Sequence, residues 1–431
     1  MENHIKKKII RIAAVPLLAF SIIIGGVGAQ AAGVDDGHKD CERVRNLSWE
    51  QLLEKARGQT VNWWMWAGDP GVNQYVDEWV APKAKELFDI TVKRVAIKDT
   101  VEGVQQVIQE KQAGKNMGSG VDLNWISSEN LKTMIQGDLL CEGYQAKLPN
   151  HKYIDYEDPS VAYHGTLKIG DTATPWGRYQ YVYVYNTDHV NKIPTTFKEL
   201  AEVIKQNPGK FTYPAPPDFT GRGMLTNILY EVTGDVDQWV KGDGFNKELW
   251  EAKSCALWDY LNDIKPYLWR KGETYPENAS AQNRLYASGE LWFTIAAYHA
   301  TPGRDVEKGT YPKSTKTSVM DVGTIAGTHN ISIPYNSGSK EAAIVLSDFL
   351  IGPSAQYQKA LPEVWGIGTV LTFDRLSDEW QKKFRELPIH PASVPFDVLG
   401  QHQVPTPAHY HVPVEEGWRE HVLKGKPYNC P

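Results

Sequence analysis

The chain has 431 residues, with 46 Lys and Arg against 52 Asp and Glu, for a formal net charge of −6. A hydrophobic fraction of 41% and a charged fraction of 23% exclude a disordered chain, and the acidic balance disfavours a nucleic-acid binder. The length predicts about two or three domains.

Residues 1–31 read as a secretory leader. Lys6, Lys7, Lys8 and Arg11 open it, Ile12 to Val27 form its apolar stretch, and Ala29-Gln30-Ala31 is the small-residue signal for cleavage after Ala31. Pro16, Gly25 and Gly26 break the apolar run, which argues against a membrane anchor. Removing this segment, whose net charge is +3, leaves −9 on 400 residues. Cys41, Cys141, Cys255 and Cys430 all remain, and an even count in an exported chain suggests two disulfides with three pairings open.

Strand and helix patterns then alternate, the mark of an α/β protein. Ser48 opens a Ser-x-x-Gln capping box before a helix at Trp49–Ala56. An apolar strand at Thr60–Trp66 follows, then a Gly-Asp-Pro-Gly turn and a helix over 72–88, kinked at Pro82. A strand over 90–97, a helix over 100–113 and a strand over 121–126 complete a parallel unit, whose crevice lies at the strand C-termini. WGRYQYVYVYN (176–186) alternates rings and valines as one long strand, long enough to cross between two bodies. A second series begins with a helix over 196–206 and a strand over 211–213, followed by the proline-stiffened loop 214–223. Helices around 250–268, a buried strand within 288–297, a strand pair over 321–334 and an amphipathic helix over 341–350 close the series.

This order of signals resembles the family 1 extracellular solute-binding proteins of bacterial ABC importers, in their YnjB-type branch of thiamine-like or unassigned substrate. The resemblance rests on VNWWMWAGDPGVNQY (61–75), KQAGKNMGSGVDLNWISSEN (111–130), TPWGRYQYVYVYNTD (174–188), PTTFKELAEVIKQNPGKFTYPAPPDFTG (194–221), LWRKGETYP (268–276), HNISIPYNSGSKEAA (329–343) and LPEVWGIGTVLTFDRL (361–376). It implies the type II periplasmic-binding-protein fold: two α/β lobes joined by crossing strands, with solute held between them. One lobe is expected at 32–180 and 320–350, the other at 187–312 and 352–431, with crossings near 178–186, 310–320 and 350. On that assignment Cys41 pairs with Cys141 and Cys255 with Cys430, since a bridge between lobes would lock the hinge. The resemblance further implies a monomer in the periplasm, no catalysis, no cofactor, and an ABC permease with its ATPase as partners.

The candidate ligand residues lie at strand ends and stiff loops. Trp66 shares a strand face with Trp64, and with Asp69 it offers a ring and a charge to a flat or cationic solute. Glu129, after Trp125, Ser127 and Ser128, favours a cation, with Ser128 as the expected helix cap. Trp176 and Arg178 stand at the hinge entry, where Arg178 either clamps an anion or ties the lobes by an ion pair. Asp218, Phe219, Tyr298, His299 and Trp365 are the candidates further along. Together the 15 Trp and 21 Tyr and these carboxylates favour an organic cation such as thiamine or a polyamine.

Two rival readings stand beside this one. His402, His409 and His411 suggest a metal-binding protein, although no cysteine or acid accompanies them in sequence. Cleft carboxylates suggest a secreted carbohydrate-binding or carbohydrate-active protein. Gly-x-Ser-x-Gly and P-loop motifs are absent, and Ser337-Gly338-Ser339-Lys340 lacks the companion motifs of a β-lactamase, so it reads as a helix cap.

Overall fold

The computed structural model describes residues 36–164, 167–241, 244–394, 399 and 402–429; the leader and Cys430 lie outside them. Local chemistry sets the first elements. Ser48 accepts a hydrogen bond from the Gln51 amide while the Gln51 side chain accepts one from the Ser48 amide, and the helix runs Trp49–Ala56 as the capping box predicts. Strand β1 (Thr60–Trp66) alternates in burial, with Trp63 on the fully buried face and Trp64 and Trp66 on the other. The next helical segment starts at Pro70 under an Asp69 cap and continues to Phe88, with a π-helical stretch at Tyr75–Val80 ahead of Pro82.

Strands β2 (Thr91–Ile97) and β3 (Leu123–Ile126) flank β1 in parallel, with Trp63 opposite both Arg94 and Leu123. A short hairpin follows, β4 (Tyr163–His164) with β5 (Leu167–Lys168). The expected long strand over 176–186 is two strands, β6 (Thr174–Gln180) and β7 (Val182–Asn186). They serve different sheets, and the chain passes between them at Tyr181. Strand β10 (Thr324–Ser332) pairs antiparallel with both β3 and β6, and in parallel with β11 (His402–Gln403), completing the first sheet. The second sheet centres on β7, antiparallel to β8 (Phe293–Ala296) on one side and β9 (Thr315–Ser318) on the other. The chain thus passes between sheets at Tyr181 and again between β9 and β10.

Three expectations change. Residues 211–213 join no ladder; Phe211 instead accepts a hydrogen bond from the Trp269 amide. Residues 321–334 hold one nine-residue strand, buried along its whole length, with no hairpin. Helix Lys340–Ile351 is buried nearly all round because it packs against helix Trp49–Ala56 on one side and β1 and β6 on another.

Residues 353–376, placed in the second lobe by the sequence reading, make their hydrogen bonds to the first sheet and its helices. Gln356 Nε2 donates to the Trp176 carbonyl at 2.9 Å, Tyr75 donates to the Ala355 carbonyl, and Gly368 pairs with Arg178. Residues 408–423 pack instead on helices Phe219–Thr233 and Lys247–Ile264.

A disulfide joins Cys41 to Cys141 with Cα atoms 5.4 Å apart, tying helix Asp36–Arg45 to the segment after helix Ser128–Gln136. Cys255 is also disulfide-bonded, and its Sγ lies 3.5 Å from the Asn429 carbonyl; its expected partner, Cys430, is outside the described residues. Among the described residues no helix is long and apolar enough to cross a membrane.

Candidate functional site

The C-terminal ends of β1 and β3, the middle of β10 and the start of β6 bring four rings together, and Trp365 and Tyr298 join them. Trp125 lies 6.3 Å from Trp66, 5.0 Å from Trp176, 4.8 Å from His329 and 5.9 Å from Trp365, all edge to face. Trp365 meets Tyr298 at 5.4 Å. Tyr298 stands just past β8 of the second sheet, and its hydroxyl is hydrogen-bonded to Nε2 of His329 at 3.0 Å. On the other side of His329, Tyr179 lies edge to face with Phe219 at 5.1 Å. Phe219 is 39% exposed, which opens this wall to solvent, whereas Trp176 and Trp365 are fully buried. The Trp66 ring lies so close over Gly68 that a Cβ there would sit 2.1 Å from Cζ2, so only glycine fits the turn.

Beside the rings a cavity of about 440 Å³, its open mouth included, is lined by Ser127, Glu129, Tyr179, Phe219, Arg222 and His411 among others. Glu129 comes from the first turn after β3, and Arg222 from helix Phe219–Thr233 on the opposite wall. Arg222 Nη2 lies 2.9 Å from Glu129 Oε1, and its Nη1 lies 3.2 Å from Glu415 Oε1. His411 Nδ1 also contacts Glu129, and His411 Nε2 is bonded to the Thr406 carbonyl. Burial works against charge on Glu129, but Arg222 and then His411 more than offset it, so its carboxyl lies well below the usual range.

A second ion pair crosses the site. Asp69 caps the helix beginning at Pro70, accepting from the Gly71 amide at 2.6 Å, and meets Arg304 through Nη1 at 3.1 Å and Nη2 at 3.2 Å. Arg304 stands on helix Thr301–Glu307 beyond β8, and its Nε donates to Asp305 at 2.9 Å. Its burial opposes ionisation, yet the two carboxylates outweigh that and hold the guanidinium above its usual range. Nearby, the Ser280 hydroxyl donates to the Gly68 carbonyl.

Of the candidates, Trp66, Trp176, Tyr298 and Trp365 fall in the ring group, Glu129 and Phe219 line the cavity, and Asp69 pairs with Arg304. Asp218 sits behind the cavity wall as the cap of helix Phe219–Thr233, accepting from the Thr220 and Gly221 amides, with burial raising its carboxyl. His299 adjoins Tyr298, and burial pushes its imidazole down to about 4. Arg178 donates through Nη2 to Asp158 and Ser160 at 2.8 Å each, an ion pair within residues 32–180 that does not tie the two lobes. The helix cap falls on Ser127, which accepts from the Asn130 amide, not on Ser128.

Sequence reasoning did not single out Tyr179, Arg222, Arg304 or His329. They lie inside or beside stretches the sequence marks, but only the meeting of two sheets gives them a role. Lys359 was missed too: it contacts the Trp176 carbonyl, lies 5.3 Å from the centre of that ring, and burial pushes its ammonium well below the usual range. Among the described residues no group of three His, Cys, Asp or Glu side chains is placed to hold a metal ion.

Comparison with known proteins matches this arrangement to a lineage. The family described as bacterial extracellular solute-binding protein matches residues 78–385. Protein YnjB of Escherichia coli K12 is 33% identical over 330 residues, covering 77% of this chain and 84% of its own. A putative spermidine/putrescine ABC transporter protein from Listeria monocytogenes superposes with a TM-score of 0.55 at 15% identity, covering 84% of this chain and 99% of that one. The apo ferric ion-binding protein A of Pasteurella haemolytica gives 0.56 at 13% identity, covering 86% and 99%. At such identities the two structures establish the two-lobed type II periplasmic-binding fold alone, and their named cargoes differ. The chain belongs to the bacterial extracellular solute-binding protein family.

Proposed function

We propose that this protein is the periplasmic binding component of an ABC importer whose cargo is a small organic cation. It is exported with cleavage after Ala31, works as a monomer, and delivers its cargo to a membrane permease and ATPase without reacting with it. The lobes are built on the first and second sheets, and they close about the crossings at Tyr181 and between β9 and β10.

The observation that carries the cation reading is the placement of carboxylates at three helix N-termini next to the ring group and the cavity, Asp218 behind the wall. Asp69 caps the helix beginning at Pro70, Glu129 lies in the first turn of Ser128–Gln136, and Asp218 caps Phe219–Thr233. Those termini would otherwise attract an anionic solute. Each arginine, moreover, is shared by two carboxylates: Arg222 by Glu129 and Glu415, Arg304 by Asp69 and Asp305. The Asp69 cluster thus keeps one negative charge in excess, while the Glu129 cluster is balanced by His411, whose Nδ1 contacts Glu129. Aromatic walls add cation–π attraction worth about 0.5–2 kcal/mol per contact. The likeness to a protein named for spermidine and putrescine agrees with this chemistry.

Thermal unfolding with putrescine, spermidine, thiamine, a sugar and inorganic phosphate tests the reading. A ligand that binds only the native state raises the melting temperature. Stabilisation by one or more of the cations and none by phosphate is expected. Stabilisation by phosphate or sugar alone would overturn it.

A further inference from the structure

We propose that Arg222 is a built-in competitor for the cargo's charged group. It occupies the seat on Glu129 that the cargo takes, and Glu415 is where it is retained once displaced. This rests on the cation reading of the cleft and names the residues that set its selectivity.

Three observations carry it. First, the Glu129–Arg222 pair lines the open cavity, beside the exposed ring of Phe219 and the edge of Tyr179. A carboxylate with aromatic faces beside it is the combination that suits an organic cation, and the protein fills it with its own guanidinium, with His411 Nδ1 on the same Glu129 oxygen. Second, Arg222 touches two carboxylates through different nitrogens, Nη2 to Glu129 and Nη1 to Glu415. Releasing Glu129 therefore does not strand a buried guanidinium without a counter-charge, which would be strongly unfavourable. Third, Glu129 and Arg222 approach from opposite walls, one from the strand end of the first sheet and one from helix Phe219–Thr233, so the pair also draws the unliganded cleft together. A cation must then outbid Arg222 for Glu129, which rejects weakly charged solutes. Asp69 and Arg304 offer no equivalent exchange, because Asp69 is also committed to the Gly71 and Val72 amides.

Chemical rescue without any cargo tests this. Arg222→Ala leaves a guanidinium-sized gap between Glu129 and Glu415, and its melting temperature should fall. Millimolar methylguanidinium should restore most of that loss, while tetramethylammonium restores little and the wild type gains nothing. The double variant Arg222→Ala/Glu129→Gln should not be rescued. No rescue, or equal gain in the wild type, overturns the proposal. Should Arg222→Ala fail to fold, Arg222→Met, which keeps the volume of the stem, gives the same readout. With a cargo cation in hand, Arg222→Met should bind it about tenfold more tightly and Glu415→Gln about tenfold more weakly. Unchanged affinity in both variants overturns the exchange. A wild-type chain that no organic cation stabilises refutes the cation reading instead, and the rescue arm still decides the seat.

Discussion

Arg304→Met removes the only guanidinium shown between Asp69 and Asp305, and the structure sets the size of the effect. The Arg304 side chain is 5% exposed and those of Asp69 and Asp305 are 14% and 15% exposed. Removing one partner of a buried ion pair costs about 3–5 kcal/mol, chiefly because a charge is left without compensation. Asp69 keeps its bonds from the Gly71 and Val72 amides, which soften its isolation, so the lower end, about 3 kcal/mol, is expected. Adding Asp69→Asn retains a capping oxygen and removes one stranded charge, so the double variant should recover about 1–2 kcal/mol of that loss. Urea unfolding followed by tryptophan fluorescence reads both quantities as shifts in midpoint multiplied by the slope. A loss under about 1 kcal/mol, or a double variant less stable than Arg304→Met alone, would refute the reasoning.

Serine at Cys41 or Cys141 opens a bridge between residues 100 apart in sequence, and should cost about 4–5 kcal/mol in urea unfolding. Burial holds His299 down to about 4, so the unfolded chain takes up its proton first. Stability is then fully present above about pH 6.5 and falls as pH drops toward 4, by up to about 1.4 kcal/mol per pH unit, and His299→Gln should flatten that slope. Trp365→Ala should cost about 3–5 kcal/mol in urea unfolding, as expected for a fully buried ring. Glu129→Gln should abolish the melting-temperature rise given by a bound cation, because the amide carries no charge to attract one.

The first sheet was legible because its signals are local. The capping box at Ser48, the alternation of Thr60–Trp66 and the proline after Asp69 each fix an element through contacts within a few residues. The ring group was half legible: Trp66 and Tyr298 stood out at strand ends, Trp176 at the hinge entry and Trp365 in a late loop, while His329, mid-strand at the head of a recognisable motif, had no large residue beside it to mark it as a ring of the site. The split at Tyr181 was hidden because alternation continues through it, and only the different partners of β6 and β7 reveal the change of sheet. Arg178 offered two readings from sequence, an anion clamp or an ion pair between lobes, and its pair with Asp158, 20 residues away, matches neither. The opposite sides of both ion pairs were illegible for the same reason. Arg222 meets Glu129 across 93 residues of chain and Arg304 meets Asp69 across 235, separations that no periodicity encodes.

The central claim is capture of an unreacted cation, and equilibrium dialysis against spermidine, putrescine and thiamine, with mass spectrometry of both compartments, tests it most directly. About one cation held per chain and recovered at its original mass is the result the account requires. Retention of none of them, or recovery of a chemically altered product, would contradict it.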